Sequence, residues 1–172
     1  MADGSESACV VTHPDDTTPG YAVAIVTGGS CGVGREIALR LAGGGYAVVV
    51  VYVRDQGEAE TAVEEILAAN GTALAVRADV TDHLDVKRLF DETAAAFGAV
   101  DVVVHTGVRG SPVVNEEAAR RLGRGGAIVS VAGSDAITAA LAHELRARDI
   151  TVADQATADV VAFLDRWRGR AS

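Results

Sequence analysis

The 172-residue sequence is short of lysine, aromatic residues and cysteine, and each shortage excludes something. Lys87 is the only lysine, and a formal net charge of −9 leaves no basic footprint for a phosphate backbone, so nucleic acid is not an expected partner. The negative field favours solubility instead. Aromatics supply 4% of the chain, while the 49% hydrophobic content comes mainly from Ala, Val, Leu and Ile. That composition suits helices packed on a buried sheet more than an all-β sandwich. Cys9 and Cys31 are too few and too differently placed for a disulfide framework, and a reduced, cytoplasmic compartment is expected. No His, Cys, Asp and Glu cluster shows ligand spacing, so no metal is expected. No run approaches the ~20 apolar residues of a membrane span. Residues 1–20 are acidic and polar where a signal peptide would be basic and then apolar, and they read as a flexible tail.

What is present is a regular alternation of short apolar runs and longer amphipathic segments. Strands are expected at Tyr21 to Thr27, Ala47 to Val53, Ala73 to Ala78, Val100 to His105, Ala127 to Val131 and Ile150 to Ala153. These runs lack polar alternation, as strands buried on both faces do. Helices are expected over Gly34 to Ala42, Glu58 to Ala69 and Asp82 to Phe97, a short one within Pro112 to Leu122, and two more from Ser134 or Asp135 to Ala147 and from Ala156 to Trp167. Asp55 and Glu58 are spaced as an N-terminal cap pair, and Asn70-Gly71 ends its helix with residues that tolerate a left-handed backbone. One α/β domain over residues 21–172 follows, a doubly wound parallel sheet of about six strands in the order 3-2-1-4-5-6. Its ligand crevice belongs at the carboxyl ends of the strands, where the winding reverses.

Thr27-Gly28-Gly29-Ser30-Cys31-Gly32-Val33-Gly34 joins the first strand to the first helix. Glycines there permit a tight turn and let backbone N–H groups approach a pyrophosphate at the positive end of the helix. A plain strand-to-helix turn is the competing reading.

The segment TGGSCGVGREIALRLA resembles the TGxxxGxG segment of the short-chain dehydrogenase/reductases, a family with a Rossmann-like fold. Arg77-Ala78-Asp79-Val80 resembles the family's adenine contact, the run from Asp101 to Gly107 its Asn-Asn-Ala-Gly segment, and Gly126 to Val131 its fifth strand. The resemblance implies a nicotinamide cofactor held by Gly28, Ser30, Cys31, Gly32, Val33, Gly34, Asp79, Val80, Thr106 and Gly107. The second strand ends in Tyr52 and is followed by Arg54, where an Asp would hold the ribose 2′-hydroxyl of NAD(H). Arg54 points to NADP(H), the alternative being a solvated surface arginine. Asp79 can equally be a helix cap.

The family's catalytic acid is a Tyr followed four residues later by a Lys. Tyr21, Tyr46 and Tyr52 all precede the third strand, and His83 stands four residues before Lys87, so the sequence holds no Tyr-x-x-x-Lys. The segment after Gly133, where the family serine would fall, reads as shortened, as do the helix after the fourth strand and the substrate loop after the sixth. His105 and Ser134 are the remaining catalytic candidates, against His105 as a structural residue and Ser134 as a cap. Three readings result: an NADP(H)-dependent reductase-like enzyme acting on a small molecule, a catalytically inactive scaffold of the same fold, with or without a cofactor, and a cyclase or lyase using the same crevice. The shortened elements leave surface for a homodimer.

Overall fold

Unbroken apolar runs become strands only when both faces are covered, and the chain provides the cover. The computed structural model describes residues 21–106, 111–131, 143, 145, 148–155 and 159–169; the expected tail, Gly107, Ser134 and most of the helix expected after Ser134 lie outside the described residues. The elements are β1 (Val23–Thr27), α1 (Gly32–Gly43), β2 (Ala47–Tyr52), α2 (Gln56–Ala68), β3 (Thr72–Arg77), α3 (His83–Phe97), β4 (Val102–Thr106), α4 (Ser111–Arg121), β5 (Ala127–Val131), β6 (Thr151–Gln155) and α5 (Val160–Arg168). The six strands form one sheet in the order β3-β2-β1-β4-β5-β6, every neighbouring pair parallel. This is the doubly wound, Rossmann-like sheet that the alternation predicts. Its winding reverses between β1 and β4, so the loops leaving their carboxyl ends flank the crevice.

Successive strand residues point to opposite faces. Ile25, Val49, Val103 and Ile128 pack with Leu89 and Phe90 of α3 and Val114 and Ala118 of α4. Val26, Val50, Val104 and Val129 pack with Ile37 and Leu41 of α1, Ile66 of α2 and Leu164 of α5. The last helix is fastened at the far end of the sheet from the crevice. The Tyr46 hydroxyl donates to the Leu164 carbonyl at 3.3 Å, and the Arg168 guanidinium lies 5.1 Å from the centre of the Tyr46 ring. Burial, partly offset by Arg168, raises the Tyr46 phenol above its ordinary range, so it stays a protonated donor.

Several local expectations shift. β1 starts at Val23 rather than Tyr21, and α1 starts at Gly32, one half-turn before the expected Gly34. Asp55 is the N-terminal flanking residue of α2 but makes no side-chain cap bond, and Glu58 does not complete a cap pair with it but bonds Arg35 of α1 at 3.2 Å. Asn70 does adopt the left-handed conformation, at φ 60°. α3 is capped by Asp82, whose carboxylate accepts from the Leu84 and Asp85 N–H groups, and not by Asp79. Among the described residues no helix is long and apolar enough to cross a membrane, and no group of three His, Cys, Asp or Glu could hold a metal ion.

Candidate dinucleotide site

β1 must turn sharply into α1, and the turn depends on two properties of glycine. Gly28 sits at φ +65° and Gly32 at φ +54°, a region costly for any residue with a Cβ. Gly34 is needed for space: a Cβ there would collide with the Gly28 carbonyl oxygen and lie 2.6 Å from its carbon. The loop therefore folds its own backbone against the first turn of α1. The side of Gly32 where a Cβ would stand is open, with no heavy atom within 4 Å. The opening N–H groups of α1, which have no intrahelical acceptor, are thus left to a ligand, and the helix dipole favours an anion.

Thr27 secures this turn to β4. Its Oγ1 lies 2.8 Å from Nδ1 of His105 and accepts from the Thr106 N–H at 3.3 Å, while the Thr106 hydroxyl donates to the Thr27 carbonyl at 2.5 Å. The Thr27 hydroxyl can accept twice as well as donate, so the direction of its bond to Nδ1 follows the tautomer of the His105 ring. His105 is 1% exposed and does not line the hollow described below. The structure thus places it beneath the crevice, as a partner of Thr27. Thr27→Val keeps the volume and the backbone carbonyl but removes the two bonds at Oγ1, so it is expected to destabilise the fold by about 1–3 kcal/mol. Urea unfolding followed through Trp167 checks it; an unchanged midpoint would refute the tie.

A hollow opens beside the loop. Thr27, Gly28, Ser30 and Thr106 form one wall, the run from Val51 to Asp55 another, and Val80 a third. Arg54 is exposed at its edge. Ser30 is buried, whereas Cys31 and Val33 are exposed at the start of α1. Asp79 lies just beyond Val80, in a closed turn: its Oδ1 accepts from the Thr81 N–H at 2.9 Å and the Thr81 hydroxyl at 2.6 Å. Those bonds hold the Asp79 carboxyl below the usual carboxylate range. The Asp79 N–H donates to Asp85 at 2.9 Å, and this bond, followed by Arg88, lowers the Asp85 carboxyl as well. Both are ionised at neutral pH.

The structure thus brings Gly28, Ser30, Arg54, Val80 and Thr106 to one hollow, with Cys31, Gly32, Val33 and Gly34 at the adjoining helix start and Asp79 at the rim. The sequence reading missed Asp55, which it treated only as a cap. It makes no side-chain cap bond and lines the hollow beside Arg54. No local signal reveals that, because the hollow forms only where β1, β2, β4 and the turn after β3 meet.

A glycine cradle at a helix start, set at the switch point of a parallel sheet, is the arrangement at which doubly wound α/β proteins receive a nucleotide. The chain belongs to the short-chain dehydrogenase family: a family model described as short chain dehydrogenase matches residues 22–122, more than half of the sequence. It is 45% identical over 82 residues to 3-oxoacyl-(acyl-carrier-protein) reductase FabG of Staphylococcus aureus, covering 48% of this chain and 33% of that protein. An uncharacterized oxidoreductase of Methylorubrum extorquens is 31% identical over an alignment covering 76% of this chain and 69% of that protein. The chain thus spans about a third of the length of the FabG reductases it matches. Among solved structures, a short chain dehydrogenase of Burkholderia cenocepacia in complex with NADP superposes with a TM-score of 0.72 at 31% identity, covering 77% of this chain and 72% of that one. A dehydrogenase/reductase of Sinorhizobium meliloti gives 0.72 at 32% identity, covering 77% of this chain and 70% of that one.

Proposed function

We propose that the hollow binds NADP(H) and that the protein is an atypical short-chain oxidoreductase of a small molecule. The observation that carries the reading is Arg54 at the edge of a hollow walled by the glycine loop. In this reading the N–H groups from Ser30 to Gly34 hold the pyrophosphate, and Arg54 holds the 2′-phosphate. Val80 covers the adenine face, the outer oxygen of Asp79 takes its amino group, and Thr106 borders the ribose next to the nicotinamide. The residues fit the group, since the space at Gly32 and the acceptor-free N–H groups of α1 are what a pyrophosphate needs. When bound, the cofactor supplies the hydride.

The bound NADP of the Burkholderia relative supports the choice of cofactor, as does the absence of an Asp at the end of β2. Arg54→Ala is expected to weaken NADPH about 10- to 100-fold, the cost of one charge-assisted phosphate contact, with NADH nearly unaffected. Calorimetry with both nucleotides tests this. Wild-type protein that binds neither would end the proposal.

A second reading is favoured by one observation. The sequence contains no Tyr-x-x-x-Lys, the buried Tyr46 bonds Leu164, and Lys87 is engaged with Asp91 at 2.7 Å on the outside of α3. In that reading the protein keeps the nucleotide and performs no carbonyl reduction. Turnover of a carbonyl substrate with NADPH, lost on Ser134→Ala while NADPH binding is kept, would decide for the enzyme.

A further inference from the structure

We propose that Arg77 is a second arginine of the adenosine end of the site, acting with Arg54 to hold a 2′-phosphate and so to set the preference for NADP(H). The inference rests on the reading of the hollow as an NADP(H) site and adds a residue outside its walls.

Arg77 ends β3 as the register partner of Tyr52, one strand spacing away. Its side chain bends back across that gap, and Nε donates to the carbonyl of Val53 at 3.2 Å. The guanidinium is therefore held over the carboxyl end of β2, one peptide before Arg54. Its own backbone is fixed as well, because Arg88 donates to the Arg77 carbonyl at 2.9 Å. With Nε bonded, the two terminal nitrogens form no hydrogen bond with the described residues. A planar guanidinium fastened through Nε presents the paired donors that match two oxygens of a phosphate, with little rotamer freedom left to lose.

The neighbouring arginines are differently committed. Arg88 bonds Asp85 and Glu92, and Arg35 bonds Glu58 and Glu65. Arg54 and Arg77 are the pair at this end of the sheet whose terminal nitrogens carry no hydrogen bond to described residues.

Charge balance explains why one arginine is insufficient. Asp55 lines the hollow immediately after Arg54 and makes no cap bond, so a bound phosphate would meet a carboxylate beside that arginine. Asp79 and Asp85 add to the negative field at the rim, and of these two only Asp85 is paired with an arginine among the described residues. A phosphate monoester brings close to two further negative charges. A second guanidinium restores the balance at the place where the extra phosphate of NADP would lie, whereas NAD, lacking that phosphate, gains nothing from it.

The test compares NADPH, NADH and 2′,5′-ADP binding by calorimetry in wild-type protein, Arg77→Ala and Arg77→Lys, with unfolding followed through Trp167. Arg77→Ala is expected to weaken NADPH and 2′,5′-ADP about tenfold and to change NADH less than about twofold. Arg77→Lys keeps the charge without the fork and should fall between. If Arg77→Ala does not fold, the Lys variant carries the same comparison. Equal losses for NADPH and NADH would show that Arg77 only ties β3 to β2, and no loss for either would equally overturn the proposal. A wild-type protein that binds NADPH while the variants bind it unchanged removes Arg77 alone; one that binds neither nucleotide removes the NADP(H) reading with it.

Discussion

Gly34→Ala should abolish dinucleotide binding while leaving most of the sheet able to form. The added methyl would collide with the carbonyl oxygen of Gly28 and sit 2.6 Å from its carbon, and both belong to backbone. No rotamer change relieves such a clash. Either the loop lifts off the first turn of α1 or the turn itself unwinds, and the N–H groups aimed at the pyrophosphate lose their alignment in both cases. Losing two contacts to a charged group corresponds to a weakening beyond about a hundredfold, with a stability cost of about 3 kcal/mol or less from the strained turn. Calorimetry with NADPH and a thermal melt separate the two effects. A variant that binds within a few-fold of wild type would show that the loop is not the cradle.

The largest effect on stability alone is expected for Phe90→Ala. Phe90 is 1% exposed and lies in α3 between Val86 and Leu89 and the strand residues Val49, Val51 and Val103. Truncation leaves a cavity that the sheet, held by parallel pairing on both sides, cannot collapse to fill. A cost of about 3–5 kcal/mol follows, a large share of the margin of a domain this size. Urea titration gives the value directly; a loss under about 1 kcal/mol would contradict the packing described. Because Phe90 shares its core cluster with Val51 and Val80, which line the hollow, the fraction that remains folded should also bind NADPH somewhat more weakly.

Most of the fold is legible in the sequence because each strand is a bare run of Val, Ile and Ala, and each helix carries a stripe of the same residues. A run such as Ala47 to Val53 cannot be satisfied by one covered face, so a sheet between two helical layers is the arrangement that hides Val48 and Val49 together. The glycine loop is legible for the same reason, since Gly28 and Gly34 occupy places no other residue fits. What stays hidden depends on long-range pairing. The bond between Thr27 and His105 spans 78 residues and follows from β1 and β4 being neighbours, which periodicity within either strand does not contain. Asp55 has good capping chemistry, yet it makes no side-chain cap bond and lines a hollow built from distant strands. Arg77 reads as one more strand-end residue until the register with Tyr52 brings its side chain to Val53.

The strand order also governs how the chain must assemble. β2 and β3 join β1 through short neighbouring connections, so that half of the sheet can form from one continuous stretch. Its other flank waits for β4, and the surface of α1 waits for α5, whose contact with Tyr46 lies 118 residues along the chain. Distant closures of this kind slow folding and leave a bare strand edge in the interim. During synthesis, β1 is thus an open edge of almost pure Val, Ala and Ile until β4 is made, and that interval is when the protein is most exposed to aggregation and to chaperones.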